Sequence, residues 1–178
     1  MKTLYVDIDG VVRDMCGSAV YEVCGIKNFV PKHWKWFLDD KDIYQIVAED
    51  FTVLGRSKPT PYYKIIYKFA CNRPITFLSC QPKDWVPHTN VWLKKHFGKL
   101  NYKVIYFDTS KDKCLYFKDA LKAGVDGLLI EDYPFVGLPK YIIKRIILIH
   151  YPYNRETDGV GYRIKTPRQL EKVLNRLI

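Results

Sequence analysis

The sequence reads as an α/β domain, a doubly wound parallel sheet with a small helical lobe inserted after the first strand. Three observations carry this reading. Five short apolar runs each end on polar residues, the pattern of strands buried on both faces of a parallel sheet. Helical periodicity fills the intervals between them, and that alternation builds parallel strands joined by crossover helices. One interval, of about 65 residues between Asp9 and Ile75, is far longer than a crossover requires.

Leu4 to Val6 is the first strand, and it stops at Asp7-Ile8-Asp9-Gly10. Within the long interval, residues 17–57 carry aromatic and apolar positions at helix-like spacing, among them Trp34, Trp36, Phe37, Ile43, Ile46 and Val47. This stretch is expected to be a small helical cap on a core made of residues 1–16 and 58–178. The proline-rich segment Lys58-Pro59-Thr60-Pro61 marks the return to the core, because proline breaks regular structure. Pro61 to Ala70 has the periodicity of a helix, with Tyr62, Ile65, Ile66 and Phe69 on its apolar stripe.

After the turn signal Asn72-Arg73-Pro74, Ile75 to Leu78 forms a strand ending on Ser79. Asp84 to Phe97 has Trp85, Val91, Trp92 and Phe97 at near-helical spacing. Val104 to Phe107 is a strand ending on Asp108-Thr109-Ser110, and Asp112 to Ala123 a helix carrying Leu115, Phe117 and Leu121 and stopped by Gly124. Leu128 to Ile130 ends on Glu131-Asp132, and Arg145 to Ile149 ends on His150. The last helix opens with Thr166 as N-cap and Pro167 as first residue, and turns Leu170, Val173, Leu174 and Leu177 inward.

Composition narrows the class. With 178 residues, 48% hydrophobic and 27% charged, the chain has globular rather than disordered composition. Its longest apolar runs fall far short of the about 20 residues that span a bilayer. The N-terminus has no long apolar segment of the signal-peptide kind. Five scattered cysteines, odd in number and without a CxxC pair, argue against a disulfide framework or structural zinc. The expectation is a reduced, cytoplasmic protein. A net charge of +10 favours anionic partners: nucleic acid, nucleotides or other phosphorylated metabolites. No block of five like charges concentrates the excess, so a dedicated nucleic-acid arm is not expected.

In an open parallel sheet, ligands bind beyond the carboxyl ends of the strands. The residues collected there are Asp7 and Asp9, Ser79, Lys113, and Glu131 with Asp132. Carboxylates gathered in this number repel one another and need a cation, and hard oxygen ligands suit Mg²⁺. A carboxylate beside Mg²⁺ can attack phosphorus, a second one two residues on can protonate the leaving oxygen, and a hydroxyl and a lysine can hold the transferring phosphoryl group.

Asp7-Ile8-Asp9-Gly10-Val11-Val12 resembles the first motif, DxDGxx, of the haloacid dehalogenase superfamily of phosphatases, and the later residues resemble its other three motifs in order. The resemblance implies Asp7 as nucleophile and metal ligand, and Asp9 as general acid/base that lends its backbone carbonyl to the metal. It also implies Ser79 and Lys113 as phosphate ligands, Asp132 as a further Mg²⁺ ligand, and Glu131 in support behind it. A narrower likeness is to the 5'(3')-deoxyribonucleotidase family within that superfamily. It rests on the inserted cap, on Trp92-Leu93-Lys94-Lys95-His96-Phe97-Gly98, on Thr109-Ser110-Lys111-Asp112-Lys113, on Leu128-Leu129-Ile130-Glu131-Asp132-Tyr133-Pro134, and on Pro152-Tyr153-Asn154-Arg155. Glu131 stands where the family has Asp, and Lys111 is the alternative to Lys113. The strand order implied is 5-4-1-2-3.

The function implied is Mg²⁺-dependent hydrolysis of a phosphomonoester through an aspartyl-phosphate, with a deoxyribonucleoside monophosphate as substrate. The alternatives are a phosphatase acting on polynucleotide ends, favoured by the charge, and a non-catalytic nucleotide- or nucleic-acid-binding module. Trp34, Trp36 and Phe37 are either the core of the lobe or a stacking surface for a base. Cys80 reads as a small buried residue. Asn154 and Arg155 either cap a turn or touch the substrate, and the four histidines show no ligand spacing.

Overall fold

The structure, a computed structural model, describes residues 2–32, 37–38, 41–133, 138–157 and 160–178. In chain order its elements are β1 (Thr3–Val6), β2 (Arg13–Asp14), α1 (Met15–Cys24), β3 (Phe37–Leu38), β4 (Lys41–Asp42), α2 (Ile43–Glu49), α3 (Val53–Arg56), β5 (Lys58–Pro59) and α4 (Tyr63–Ala70). They continue with β6 (Ile75–Cys80), α5 (Val86–Phe97), β7 (Tyr102–Phe107), α6 (Ser110–Lys122), β8 (Gly127–Glu131), α7 (Lys140–Ile143), β9 (Ile146–Ile149), β10 (Tyr162–Ile164) and α8 (Pro167–Leu177).

Among the described residues, six strands form one parallel sheet in the order β10-β9-β8-β1-β6-β7. The central strands are buried along nearly their whole length, which is why they read as continuous apolar runs rather than as alternating ones. Alternate side chains feed two cores. Leu4, Val6, Phe77, Leu128, Ile130 and Ile147 meet α4, α5 and α8 on one face. On the other face Tyr5, Leu78, Leu129 and Ile146 meet Phe117 of α6 and Ile142 of α7. The Thr166 hydroxyl caps α8 by accepting from Gln169 N, as its sequence predicts. Among the described residues no helix is long and apolar enough to cross a membrane.

The strand β10 has no counterpart among the five strands read from sequence. It is three residues long at the sheet edge, and of these only Ile164 is fully buried, so it carries little apolar signal. Two apolar positions of the helical patterns also face outward: Val91 is 60% and Leu115 40% exposed.

The inserted segment begins and ends in an antiparallel ribbon that pairs Arg13 with Pro59 and Asp14 with Lys58. It has its own apolar cluster, Met15, Ala19, Val20, Ile46, Val47 and Leu54 among others, closed by Trp85 from the core side. Helix α1 starts at Asp14, whose carboxylate accepts from Gly17 N, and ends at the left-handed Gly25. A reciprocal capping pair between Asp42 and Gln45 starts α2. The segment is not purely helical: Phe37–Leu38 pairs with Lys41–Asp42 as a small hairpin. Trp34 and Trp36 lie outside the described residues, as does the side chain of Phe37. The segment seats on the core through α3 against α5, where Trp92 Nε1 donates to Ser57 O at 2.7 Å.

Candidate active site

Strand β1 lies between β8 and β6, so the connections leave it in opposite directions and open a crevice at the carboxyl ends of these three strands. Asp7 follows β1 directly and donates its backbone N–H to Ile130 O at 2.9 Å. Ser79 and Cys80 are the last residues of β6 rather than loop residues beyond it. Glu131 ends β8, with Asp132 next. The chain then turns sharply after Asp9. Gly10 has φ +76°, and a Cβ there would run into the Asp132 carboxylate. Glycine is required twice, for the left-handed backbone and for the close approach.

Lys113 arrives from the first turn of α6, a helix capped by the Thr109 hydroxyl accepting from Asp112 N. Its Nζ lies 2.6 Å from Asp7 Oδ1 and 2.6 Å from Glu131 Oε2. Lys111, two residues earlier, is exposed. Helical geometry decides between them, since residues two apart do not share a face. Glu131 is further pinned by the N–H groups of Asp132 and Tyr133, which donate to its Oε1 at 3.2 and 3.1 Å.

Asp7, Glu131 and Asp132 are all buried, and each offers an oxygen within 4.8 Å of the others'. Burial, then the Glu131 charge, push the Asp7 carboxyl up to about 8 against the pull of Lys113. Burial, then Asp7 and Glu131, raise Asp132 as well. Burial alone would lower the Lys113 ammonium, but the two carboxylates beside it raise it above its ordinary value. Asp7 and Glu131 share one ammonium with Asp132 beside them, and in a buried site the excess negative charge calls for a proton or a cation. A compact set of hard carboxylate oxygens fits a divalent cation such as Mg²⁺.

Asp9 lines the same pocket, but its carboxylate is held elsewhere. Arg13 Nε and Nη2 donate to its two oxygens at 2.7 and 2.8 Å. The side chains that converge are therefore Asp7, Glu131 and Asp132; Asp9, expected to give the metal its backbone carbonyl, keeps its side chain out of this cluster. Ser79 is buried at the pocket floor.

Sequence reasoning gave no role to Tyr151 or Arg13, and none to Tyr153 beyond its place in Pro152-Tyr153-Asn154-Arg155. The tyrosines flank the turn after β9, their rings stacked at 5.2 Å. The Tyr153 hydroxyl donates to Asp132 Oδ2, and the Tyr151 hydroxyl to Gly10 O at 2.8 Å. Asn154 is buried and donates to Asp132 O and Ile149 O, both at 2.7 Å, so it holds the turn. Arg155 points to solvent. The signal available was the alternation Tyr151-Pro152-Tyr153 directly beyond an apolar strand.

The pocket above the carboxylates has a volume of about 530 Å³, within the usual range for a small-molecule site. Phe29 and Tyr44 from the inserted segment and Tyr62 and Trp85 from the core also line it, with Tyr44 stacked on Trp85 at 5.2 Å. Cys16 and Cys80 also line it, and burial raises the Cys80 thiol. A scan against protein-family models gives no match, and a search of curated proteins finds no significant relative.

Proposed function

We propose that the chain is a Mg²⁺-dependent phosphomonoesterase of the haloacid dehalogenase type, working through an aspartyl-phosphate on Asp7 and acting on nucleoside monophosphates. The observation that carries this reading is the Lys113 ammonium, shared between Asp7 and Glu131 in a buried carboxylate cluster at the switch point of a parallel sheet. A pure anion-binding module gains nothing from three carboxylates facing its ligand.

Bound by Asp7 and Asp132 with Glu131 beside them, Mg²⁺ would neutralise charge between the carboxylates and the incoming phosphate. Lys113 occupies Asp7 Oδ1, leaving Oδ2 to form the bond to phosphorus. The ester P–O bond breaks, and its electron pair passes to the leaving oxygen, which takes a proton from Asp9. Asp9, now a carboxylate, removes a proton from water. The water oxygen bonds to phosphorus, the Asp7–phosphorus bond breaks, and the electron pair returns to the Asp7 carboxylate. Ser79 and Lys113 hold the phosphoryl oxygens through these steps. Phe29, Tyr44 and Trp85 line the same pocket, and bases stack on aromatic surfaces of this kind whatever their sequence.

The test is phosphate release from 5'- and 3'-mononucleotides, ribo and deoxy, beside end-phosphorylated oligonucleotides, with Mg²⁺ or EDTA and with Asp7→Asn as control. Mg²⁺-dependent release from mononucleotides that is lost in Asp7→Asn supports the reading. Release confined to oligonucleotides moves the substrate to polynucleotide ends and gives the +10 charge its role. Turnover that survives Asp7→Asn overturns the mechanism.

A further inference from the structure

Arg13 is fully buried, and burying an unpaired guanidinium is costly. Its side-chain partners come from three places: the turn after β1, α5 and α3. The fork Nε and Nη2 grips both oxygens of Asp9, the bidentate geometry that fixes a carboxylate in orientation as well as position. Nη1 donates to the Thr89 hydroxyl on α5 at 3.0 Å and to the carbonyl of Leu54, in α3 of the inserted lobe, at 3.3 Å. The Thr89 hydroxyl in turn donates to Gln81 Oε1 at 2.9 Å, and Gln81 is buried directly beyond the end of β6. The Trp92 ring lies 5.9 Å from the guanidinium carbon.

This chain, Gln81–Thr89–Arg13–Asp9, ends on the one member of the expected catalytic set that the Asp7–Glu131–Asp132 cluster does not hold. The Asp9 side chain is 20% exposed on the pocket wall. Each of its oxygens has a second lone pair beyond the one Arg13 takes, so the grip fixes the carboxyl without using up its hydrogen-bonding capacity on the pocket side.

We propose that Arg13 is a positioning residue for Asp9: it orients the Asp9 carboxyl toward the leaving-group side of the pocket and ties that orientation to α5 and to the inserted lobe. The role rests on the phosphatase reading above. Because it concerns proton delivery, it has a signature that a merely structural ion pair lacks. A nucleoside alkoxide needs a proton to leave, whereas the phenolate of p-nitrophenyl phosphate leaves without one.

The experiment measures kcat and KM of the full chain with Mg²⁺ on a nucleoside 5'-monophosphate, and the pre-steady-state release of p-nitrophenolate from p-nitrophenyl phosphate. The variants are Arg13→Lys, Thr89→Val and Thr89→Ser. Arg13→Lys keeps the charge and loses the fork. It should lower kcat on the nucleotide by on the order of 10- to 100-fold, the scale of a misplaced catalytic group, with KM little changed and p-nitrophenolate release largely kept. Thr89→Val should shift both readouts in the same direction by less, and Thr89→Ser, which keeps the hydroxyl, should restore them. If Arg13→Lys does not fold, the Thr89 pair decides alone. Equal losses on both substrates, or a change in KM only, overturn the positioning role and leave the phosphatase reading standing. A wild-type chain that turns over neither substrate overturns both.

Discussion

Lys113 Nζ sits 2.6 Å from Asp7 Oδ1 across 106 residues of sequence, and the same nitrogen is 2.6 Å from Glu131 Oε2. This ammonium lets β1, α6 and β8 bring their polar ends together. Removing one partner of a buried charge pair leaves the others uncompensated, at a cost of about 3–5 kcal/mol. Lys113→Met should therefore destabilise the metal-free chain by about that amount in urea denaturation and abolish phosphate release. Added Mg²⁺ should recover part of the stability. Lys111→Met, on an exposed side chain, should stay within about 0.5 kcal/mol. Equal effects from the two lysines would remove Lys113 from the site.

The pH dependence has a definite sign. Asp7 is raised to about 8 when folded, and Asp132 is raised too, so between about pH 4 and pH 8 the native state holds protons that the unfolded chain has released. Stability contributed by such groups falls as pH rises through that window. Lys113, raised above its ordinary value, contributes stability that is lost only at higher, alkaline pH. In EDTA, the melting temperature should drop between pH 5.5 and 8 more steeply for the wild type than for Asp7→Asn. Mg²⁺ should raise it more at pH 8 than at pH 5.5, because fewer protons compete for the carboxylates at the higher pH. A wild-type slope equal to that of Asp7→Asn would contradict the raised carboxyl.

Gly10 and Gly25 make a controlled pair. Both have positive φ, 76° and 72°, but a Cβ at Gly10 meets the Asp132 carboxylate, whereas one at Gly25 meets nothing within 4 Å. Gly25→Ala should cost about 1–2 kcal/mol, the strain of a left-handed residue, with no change in Mg²⁺ binding. Gly10→Ala should cost more and also weaken Mg²⁺ binding, read as a smaller metal-induced rise in melting temperature. Similar Mg²⁺ responses in the two variants would show that Asp132 is not part of the ion's site.

Tyr153→Phe deletes the hydroxyl that donates to Asp132 Oδ2 while keeping the ring stacked on Tyr151. Groups that orient a metal ligand from behind commonly contribute about 10- to 100-fold in affinity. The variant should lose at least about 10-fold in Mg²⁺ affinity by calorimetric titration, with a stability change near 1 kcal/mol. Unchanged affinity would make the tyrosine a packing residue only.

The described fold was legible where a local signal was strong. Leu4–Val6 and Leu128–Ile130 read as strands because helices cover both their faces, leaving no polar alternation to confuse them. Thr166-Pro167 marked its helix start because the cap is made within three residues. Asp7 and Glu131-Asp132 declared themselves as charges ending apolar runs.

Periodicity misled where a residue sits at the rim of its stripe, as Val91 and Leu115 do, because spacing alone does not say how far the neighbouring layer extends. The edge strand β10 and the hairpin of Phe37–Leu38 with Lys41–Asp42 are too short to carry a period at all.

By itself, then, the sequence determined the alternating α/β plan and which acids end its strands, since both follow from local chemistry along the chain. Tertiary structure alone decided which charges meet. Arg13 takes Asp9, Lys113 rather than Lys111 reaches Asp7, and Tyr153 bonds to Asp132 across 21 residues. Those choices belong to the sheet order and the seating of the lobe, because an ion pair or hydrogen bond is made by distance in space and leaves no trace in the spacing of residues.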